Sequence, residues 1–340
     1  MTERAPAKAT EILRERKDLL ELYQNIQADL DKVEANLQLF TASPNPLISE
    51  INTYLFQKKG KRIRPALVIL CSKLVGYKGD EHILMSALVE FIHTASLIHD
   101  DIIDNADTRR GRESVHTRWG PNISVLLGDY LYIKTIGLSL ESRHPRIMRI
   151  LTDISARMIE GELTEYCLSG NLEIAEQQYL DIIQNKTASL FSASCRIGGI
   201  LAEASPDEEN LLAGYGRSLG MTFQIIDDLL DFKGDSRDMG KPTLADISER
   251  RFTLPLIYTL SQDGNINRRR LLNLLREKNM VEAAKREILE IIRSNGALDY
   301  TFQKAESYSL QARETISRFP ASTHREALSL LSEFILTREK

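Results

Sequence analysis

Two short acidic steps constrain this chain more than any other feature. Asp100-Asp101-Ile102-Ile103-Asp104 and Asp227-Asp228-Leu229-Leu230-Asp231 both read D-D-x-x-D, and both sit inside apolar, helix-forming sequence. On a helix, residues four apart lie one above the other. Asp100 and Asp104 therefore project from one face, roughly 6 Å apart along the axis, and Asp227 and Asp231 do the same. A ladder of like charges destabilises a bare helix, so a cation is expected to offset it. If the fold turns the two ladders toward each other, their oxygens make a pocket suited to hard divalent ions. The plain alternative is a pair of solvated acidic helix faces. The Ile, Leu and Phe residues flanking both motifs speak against it.

Around the motifs, helical periodicity is nearly continuous. Leu19, Tyr23, Ile26, Leu30, Val33, Leu37 and Phe40 follow an alternating four-three spacing, an amphipathic helix with a narrow seam that packs on the chain's own body. Ser43-Pro44-Asn45-Pro46 ends it. Further breaks fall at 76–80, Gly120-Pro121-Asn122, His144-Pro145, Ser169-Gly170-Asn171, Ser205-Pro206-Asp207 and Gly264-Asn265. Ser205-Pro206-Asp207-Glu208 reads as a helix start, with Pro206 at the first position and acids in the first turn. No stretch alternates with period two. The expected fold class is all-α, a large bundle of about ten or more helices with short connections. One long polar loop, from about Lys233 to Arg250, directly follows the second acidic motif and is a candidate lid. No composition shift marks a boundary, so residues 1–340 read as a single domain, with 1–43 as an N-terminal helical extension packed on it.

Composition narrows the function classes. Lys plus Arg is 44 and Asp plus Glu is 48, a net charge of −4, which gives no footprint for nucleic acid. Cys71, Cys167 and Cys195 are odd in number and form no C-x-x-C, which argues against a disulfide framework or zinc site and fits a reducing cytoplasm. The N-terminal sequence has no apolar signal core, and no run approaches the ~20 apolar residues of a membrane span.

Acidic ladders loaded with metal call for an anionic substrate, and the chain offers cations at four places. Gly60-Lys61-Arg62-Ile63-Arg64-Pro65 lies at an expected loop-to-helix junction, where free N–H groups and the helix dipole add to the side chains. Arg109-Arg110-Gly111 follows Asp104, Lys186-Thr187 lies mid-chain, and Lys241 sits in the long loop. Arg can grip phosphate oxygens in pairs, and Lys acts as a compact charge. Each alone is more often a solvated surface residue; their interleaving with two acidic ladders points to diphosphate chemistry.

Together these stretches resemble the trans-isoprenyl diphosphate synthases, also called polyprenyl synthetases. The matching segments are GKRIRP at 60–65, EFIHTASLIHDDIIDNADTRRG at 90–111, GDYLY at 128–132, KTASLF at 186–191, FQIIDDLLDF at 223–232 and TLPLI at 253–257. The resemblance implies the isoprenoid-synthase bundle with a central active-site cavity. It implies that Asp100 and Asp104, with Asp101 in support, and Asp227 and Asp231, with Asp228 beside them, hold two or three Mg²⁺ ions. Arg109, Lys186, Thr187, Gln224 and Lys241 would bind the allylic diphosphate. Lys61, Arg64, His93 and Arg110 would bind isopentenyl diphosphate. His93 lies seven residues before Asp100 on the same helix face, which suits that role.

After the second motif the family usually reads G-K-x-x-G-x-D-x-x-x-G-K. Here Leu244 and Arg250 stand where glycines are usual, and Arg251 where lysine is usual. The loop is therefore expected to lose two flexible positions and to close differently, with activity retained. In the family, bulky residues four or five positions before the first aspartate stop short products. Ser96 and Ala95 are small, Ile92 one turn deeper is medium-sized, and Ile136 and Gly137 offer no large blocker. A medium-to-long product, roughly C30 to C50, is the expectation by analogy. The alternatives are a short-chain farnesyl or geranylgeranyl diphosphate synthase, a class I terpene cyclase, or a subunit of a heteromeric synthase. The resemblance also implies a cytoplasmic homodimer with at most peripheral membrane contact for product release.

Overall fold

Helix after helix starts and stops where the Pro, Gly and Ser signals fall. The computed structural model describes residues 23–57, 60–109, 111–233, 244–262, 266–276 and 281–338. A 3₁₀ turn at Gln24–Ile26 leads into α1 (Gln27–Phe40), followed by α2 (Pro46–Phe56), α3 (Ile63–Leu74) and α4 (Glu81–Ile103). After a short antiparallel hairpin of β1 (Thr108–Arg109) and β2 (Arg112–Glu113) come α5 (Val115–Trp119), α6 (Pro121–Ser139) and α7 (Pro145–Leu168). The chain continues through α8 (Glu176–Ile183), a π turn (Gln184–Ala188), α9 (Ser189–Leu201) and α10 (Pro206–Lys233). It ends in α11 (Ala245–Ser248), α12 (Leu254–Ser261), α13 (Ile266–Arg276), α14 (Glu282–Ser294), α15 (Ala297–Ser317) and α16 (Thr323–Thr337).

The all-α expectation holds, with the small hairpin as the exception among the described residues. The start of α10 is capped as its sequence reads: the Ser205 amide donates to Glu208 Oε2 at 2.9 Å, and the Glu208 amide to Ser205 Oγ at 3.3 Å. The N-terminal seam buries Tyr23, Ile26, Leu30, Val33 and Leu37. Leu19 lies outside the described residues. The expected loop of 233–250 is shorter than its composition reads, because Lys233 ends α10 and residues 245–248 form α11. Its segment 234–243, including Lys241, lies outside the described residues, as does Arg110.

Two helices organise the bundle. α4 is surrounded by α1, α3, α6 and α9; α10 runs against α9, α12, α15 and α16. By length and composition α4 could cross a membrane, but 67% of its most apolar window is buried inside the protein, so it is a core helix. One hydrophobic core, including Val33, Leu67, Leu88, Phe91, Leu131 and Phe191, surrounds α4. A second, including Ile225, Leu229, Phe232, Leu254 and Ile288, gathers on the C-terminal half of α10. Each such side chain contributes about 1.5–3 kcal/mol by leaving water. Glycines let α10 approach α9 closely: a Cβ at Gly216 would lie 2.5 Å from the Phe191 carbonyl oxygen. The two acidic motifs ride near the C-terminal ends of α4 and α10, so the packing of these two helices positions the site.

Candidate active site

One cavity collects side chains from both acidic motifs and from two of the basic segments. Its lining includes Asp104 from α4, Arg109 from the hairpin, Lys186 and Thr187 from the π turn, Gln224 and Asp228 from α10, and Arg251. The seven come from sequence positions up to 147 apart, the separation of Asp104 and Arg251.

The first motif divides its labour by burial. Asp101 is buried, and its Oδ1 accepts from Arg109 Nε at 2.5 Å. Asp104 caps the end of α4 and pairs with Arg251 Nη1 at 2.5 Å. Asp100 lies between them in charge terms. Burial, then the neighbouring carboxylates of Glu162 and Asp104, push its carboxyl up to about 7 against the opposing pull of Lys186 and Arg109.

The second motif is arranged differently from a simple ladder. Asp228 is buried and both oxygens are used: Tyr179 Oη donates at 2.6 Å and Gln224 Nε2 at 2.8 Å. Thr187 Oγ1 in turn donates to Gln224 Oε1 at 2.7 Å. Asp231, expected to pair with Asp227 on a metal, accepts from the backbone amides of Ala245 and Asp246 at 3.2 and 3.3 Å. It caps α11 and ties down the returning end of the loop. Asp227 is the exposed carboxylate of the set, and Arg338 Nη2 approaches it at 2.6 Å.

Lys186 owes its place to the π turn, a helix irregularity common at functional sites. Its ammonium sits between Glu162 and Glu165 of α7, at 2.6 and 2.5 Å. These carboxylates and Asp100 hold its pKa above the ordinary lysine value. Sequence reasoning missed Glu162 and Glu165; only their i, i+3 spacing two turns from the end of α7 hints that they share a face. It also missed Arg338 and Tyr179, which reach the site from far along the chain.

Residues 60–65 form a loop-to-helix junction, with α3 starting at Ile63. Arg64 stacks on Phe191, its guanidinium carbon 4.7 Å from the ring centroid, and Lys61 lies 5.6 Å from the Phe334 ring. Arg338 covers Phe223 at 3.9 Å, so cations from both ends of the chain share one aromatic floor. His93 is half-buried on α4. Of the chain-length residues, Ile92 and Ala95 are buried in the core around α4, and Ser96 is half-buried with its hydroxyl on the His93 carbonyl at 3.0 Å.

The two positions after the second motif where glycine is usual keep a glycine-like backbone conformation. Leu244 and Arg250 have φ of 61° and 60°, the left-handed region in which glycine is at ease. Each side chain there costs about 1–2 kcal/mol. Leu244 offsets this by burial in the second core, and the Arg250 carbonyl accepts from the Gly170 amide at 2.9 Å.

A helical bundle whose two acidic motifs and cationic side chains line one cavity defines a class of enzyme that works on diphosphate esters with metal ions. Residues 45–292 match the polyprenyl synthetase family, and the chain belongs to it. Octaprenyl diphosphate synthase of Escherichia coli is 34% identical over 86% of this chain and 91% of that protein. Geranylgeranyl diphosphate synthase of Saccharolobus solfataricus is 34% identical over 95% of this chain and 99% of that protein. The crystal structure of a polyprenyl synthase from Caulobacter crescentus, complexed with calcium and isoprenyl diphosphate, superposes with a TM-score of 0.89 at 33% identity, covering 95% of this chain and 98% of that one. The protein is thus a prenyltransferase, a trans-prenyl diphosphate synthase, and its family uses divalent metal ions.

Proposed function

We propose that the protein joins isopentenyl diphosphate head-to-tail to an allylic diphosphate, repeating the step to a medium-to-long all-trans product of roughly C30 to C50. The observation that carries the chemistry is the shared cavity in which Asp104, Asp228, Lys186, Thr187 and Arg251 meet.

Mg²⁺ fits the donor set. The available groups are carboxylate oxygens, and burial holds the Asp100 carboxyl well above the usual carboxylate range, so a bound cation would favour its charged form. Among the described residues no three acidic, His or Cys side chains form a ready-made metal cage. That suits Mg²⁺, which takes one or two carboxylates and completes its shell with phosphate oxygens and water. Asp100 and Asp104 would hold ions on one side and Asp227 and Asp231 on the other, with Asp231 also capping α11. When bound, the ions neutralise charge that builds on the departing diphosphate.

The chain's own residues do the rest. Lys186, Arg109, Arg251 and Lys241 bind the allylic diphosphate, and Thr187 and Gln224 orient Asp228 beside it. Their charges favour the state in which the C–O bond has broken, leaving an allylic cation and free diphosphate. Lys61, Arg64, Arg110 and His93 hold isopentenyl diphosphate so that its double bond faces the cation. A new C–C bond forms to C1, and a proton leaves C2 of the isopentenyl unit to the released diphosphate. No side-chain nucleophile is required.

The small residues Ala95 and Ser96 before Asp100 support the longer product, as does the octaprenyl relative; the geranylgeranyl relative marks the alternative. The test is to incubate protein, Mg²⁺, labelled isopentenyl diphosphate and farnesyl diphosphate and to read product length. A ladder ending at about six or more prenyl units is expected, and Ser96→Phe should shorten it. A stop at geranylgeranyl length in the unaltered protein would sink the long-chain reading and keep the chemistry.

A homodimer in the cytoplasm is part of the same reading. Leu126 and Ile133 on α6 and Leu140 at its C-terminal cap are 68%, 69% and 67% exposed, and Ile159, Leu163 and Tyr166 on the adjoining α7 are exposed as well. An apolar face of this extent suits a symmetric interface. Sedimentation is expected to give twice the 38.6 kDa chain mass, and Ile133→Glu should yield monomer.

A further inference from the structure

Arg62 stands between two proposed substrate ligands, Lys61 and Arg64, and lines a cavity together with Glu90, His93, Asp101 and Arg109. Its side chain is buried against α1 and α4. Nε and Nη2 reach Glu34 Oε1 and Oε2 of α1 at 2.6 and 3.1 Å, and Nη1 pairs with Glu90 of α4. All three side chains are almost wholly excluded from water. The Arg62 backbone is left-handed, with φ of 49°. A non-glycine residue keeps that conformation only where its surroundings over-determine it. Here two buried carboxylates do so.

Stability alone is a poor reason for such an arrangement, since well-packed apolar residues often stabilise as much as a buried ion pair. What a forked, two-point guanidinium contact adds is geometry. The triad also sits against the site: Glu90 is three residues before His93 on α4, hence one turn along the same side of the helix. On the α1 side, Glu34 belongs to a helix that is itself pinned to α3 by the Asp29–Lys73 pair at 2.8 Å.

The geometry points to Arg62 as a positioning residue, locked by Glu34 and Glu90, that sets the loop of residues 60–64 so that Lys61 and Arg64 meet the diphosphate of isopentenyl diphosphate. Through Glu34, α1 becomes part of substrate recognition. The inference rests on the assignment of Lys61, Arg64 and His93 made above and adds the device that holds two of them.

The experiment compares unaltered protein with Glu34→Gln, Arg62→Lys and Arg62→Gly. Arg62→Gly adopts the left-handed backbone freely but lacks the ion pairs, so it separates backbone shape from the lock. KM for each substrate and kcat are measured with Mg²⁺ and farnesyl diphosphate, and thermal melting confirms folding. KM for isopentenyl diphosphate should rise about tenfold in all three, with KM for the allylic substrate and kcat within about twofold. Glu34→Gln keeps an acceptor in place and provides the folded variant should Arg62→Gly not fold. Variants that melt earlier with both KM values unchanged, or with both raised equally, would make the triad a structural strut and overturn the inference. Absence of turnover in the unaltered protein would overturn the underlying assignment instead.

Discussion

Asp100→Asn is expected to lower turnover by roughly a thousandfold while leaving the fold intact. The amide keeps the size of the carboxylate and removes the charge that burial and two neighbouring carboxylates already make unfavourable. For that reason the metal-free variant should be at least as stable as the parent. The two proteins should differ in metal response: Mg²⁺ with inorganic diphosphate raises the melting temperature of the parent and not of Asp100→Asn. Asp227→Asn should lose activity on the same scale. A fall of less than tenfold in either variant would remove that carboxylate from the proposed metal site. The same group predicts a pH dependence. Its carboxyl is raised to about 7 in the folded, metal-free protein, so protons and Mg²⁺ compete for it below neutrality. Mg²⁺ affinity should fall as pH is lowered through about 7, approaching about tenfold per unit in the acid limb. The sign for stability is opposite: a raised carboxyl favours the folded state at low pH, and that contribution is lost as pH rises through about 7.

Gly161→Val should be strongly damaging although it removes no charge. A Cβ at Gly161 would lie 2.8 Å from the Lys186 backbone nitrogen and 3.1 Å from Asn185 Cβ. The obstacle on the first side is backbone, which cannot rotate away. Either α7 moves off or the π turn shifts, and that turn carries both Lys186 and Thr187. A displacement of about 1 Å at a positioned charge is enough to lower turnover by about a hundredfold. The melting temperature should also fall by several degrees. Gly214→Ala is the control, because its Cβ meets nothing within 4 Å and alanine is the better helix former. It should be neutral or slightly stabilising. Equal kinetics for Gly161→Val and parent would show that the π turn does not set the position of Lys186.

Much of the architecture was legible because its signals are local. A helix start at Ser205, a stop at 43–46 and an apolar seam at Tyr23, Leu30 and Leu37 depend on residues a few positions apart, and each was found where the pattern put it. The acidic motifs were legible for the same reason. Their internal roles were not. Asp100, Asp101 and Asp104 look alike in sequence, but α4 faces Asp101 toward Arg109 and Asp104 toward Arg251. Asp231 reads as a rung of the second ladder, and its sequence gives no sign that it also caps α11.

The glycine replacements show the limit from the other direction. Leu244 and Arg250 announce a loss of flexibility, and the backbone is left-handed at both all the same, held by burial and by the turn at Gly170. Local preference was overridden by contacts made elsewhere in the fold. The sequence by itself determined the helical class, the helix limits and the two acidic motifs, because periodicity and capping act over one or two turns. Only the tertiary structure decided that Glu162 and Glu165 hold Lys186, that Arg338 meets Asp227, and that Glu34 and Glu90 lock Arg62. Any of the chain's acids satisfies a cation equally well on paper; which one does is set by how the helices pack and which charges they close off from water.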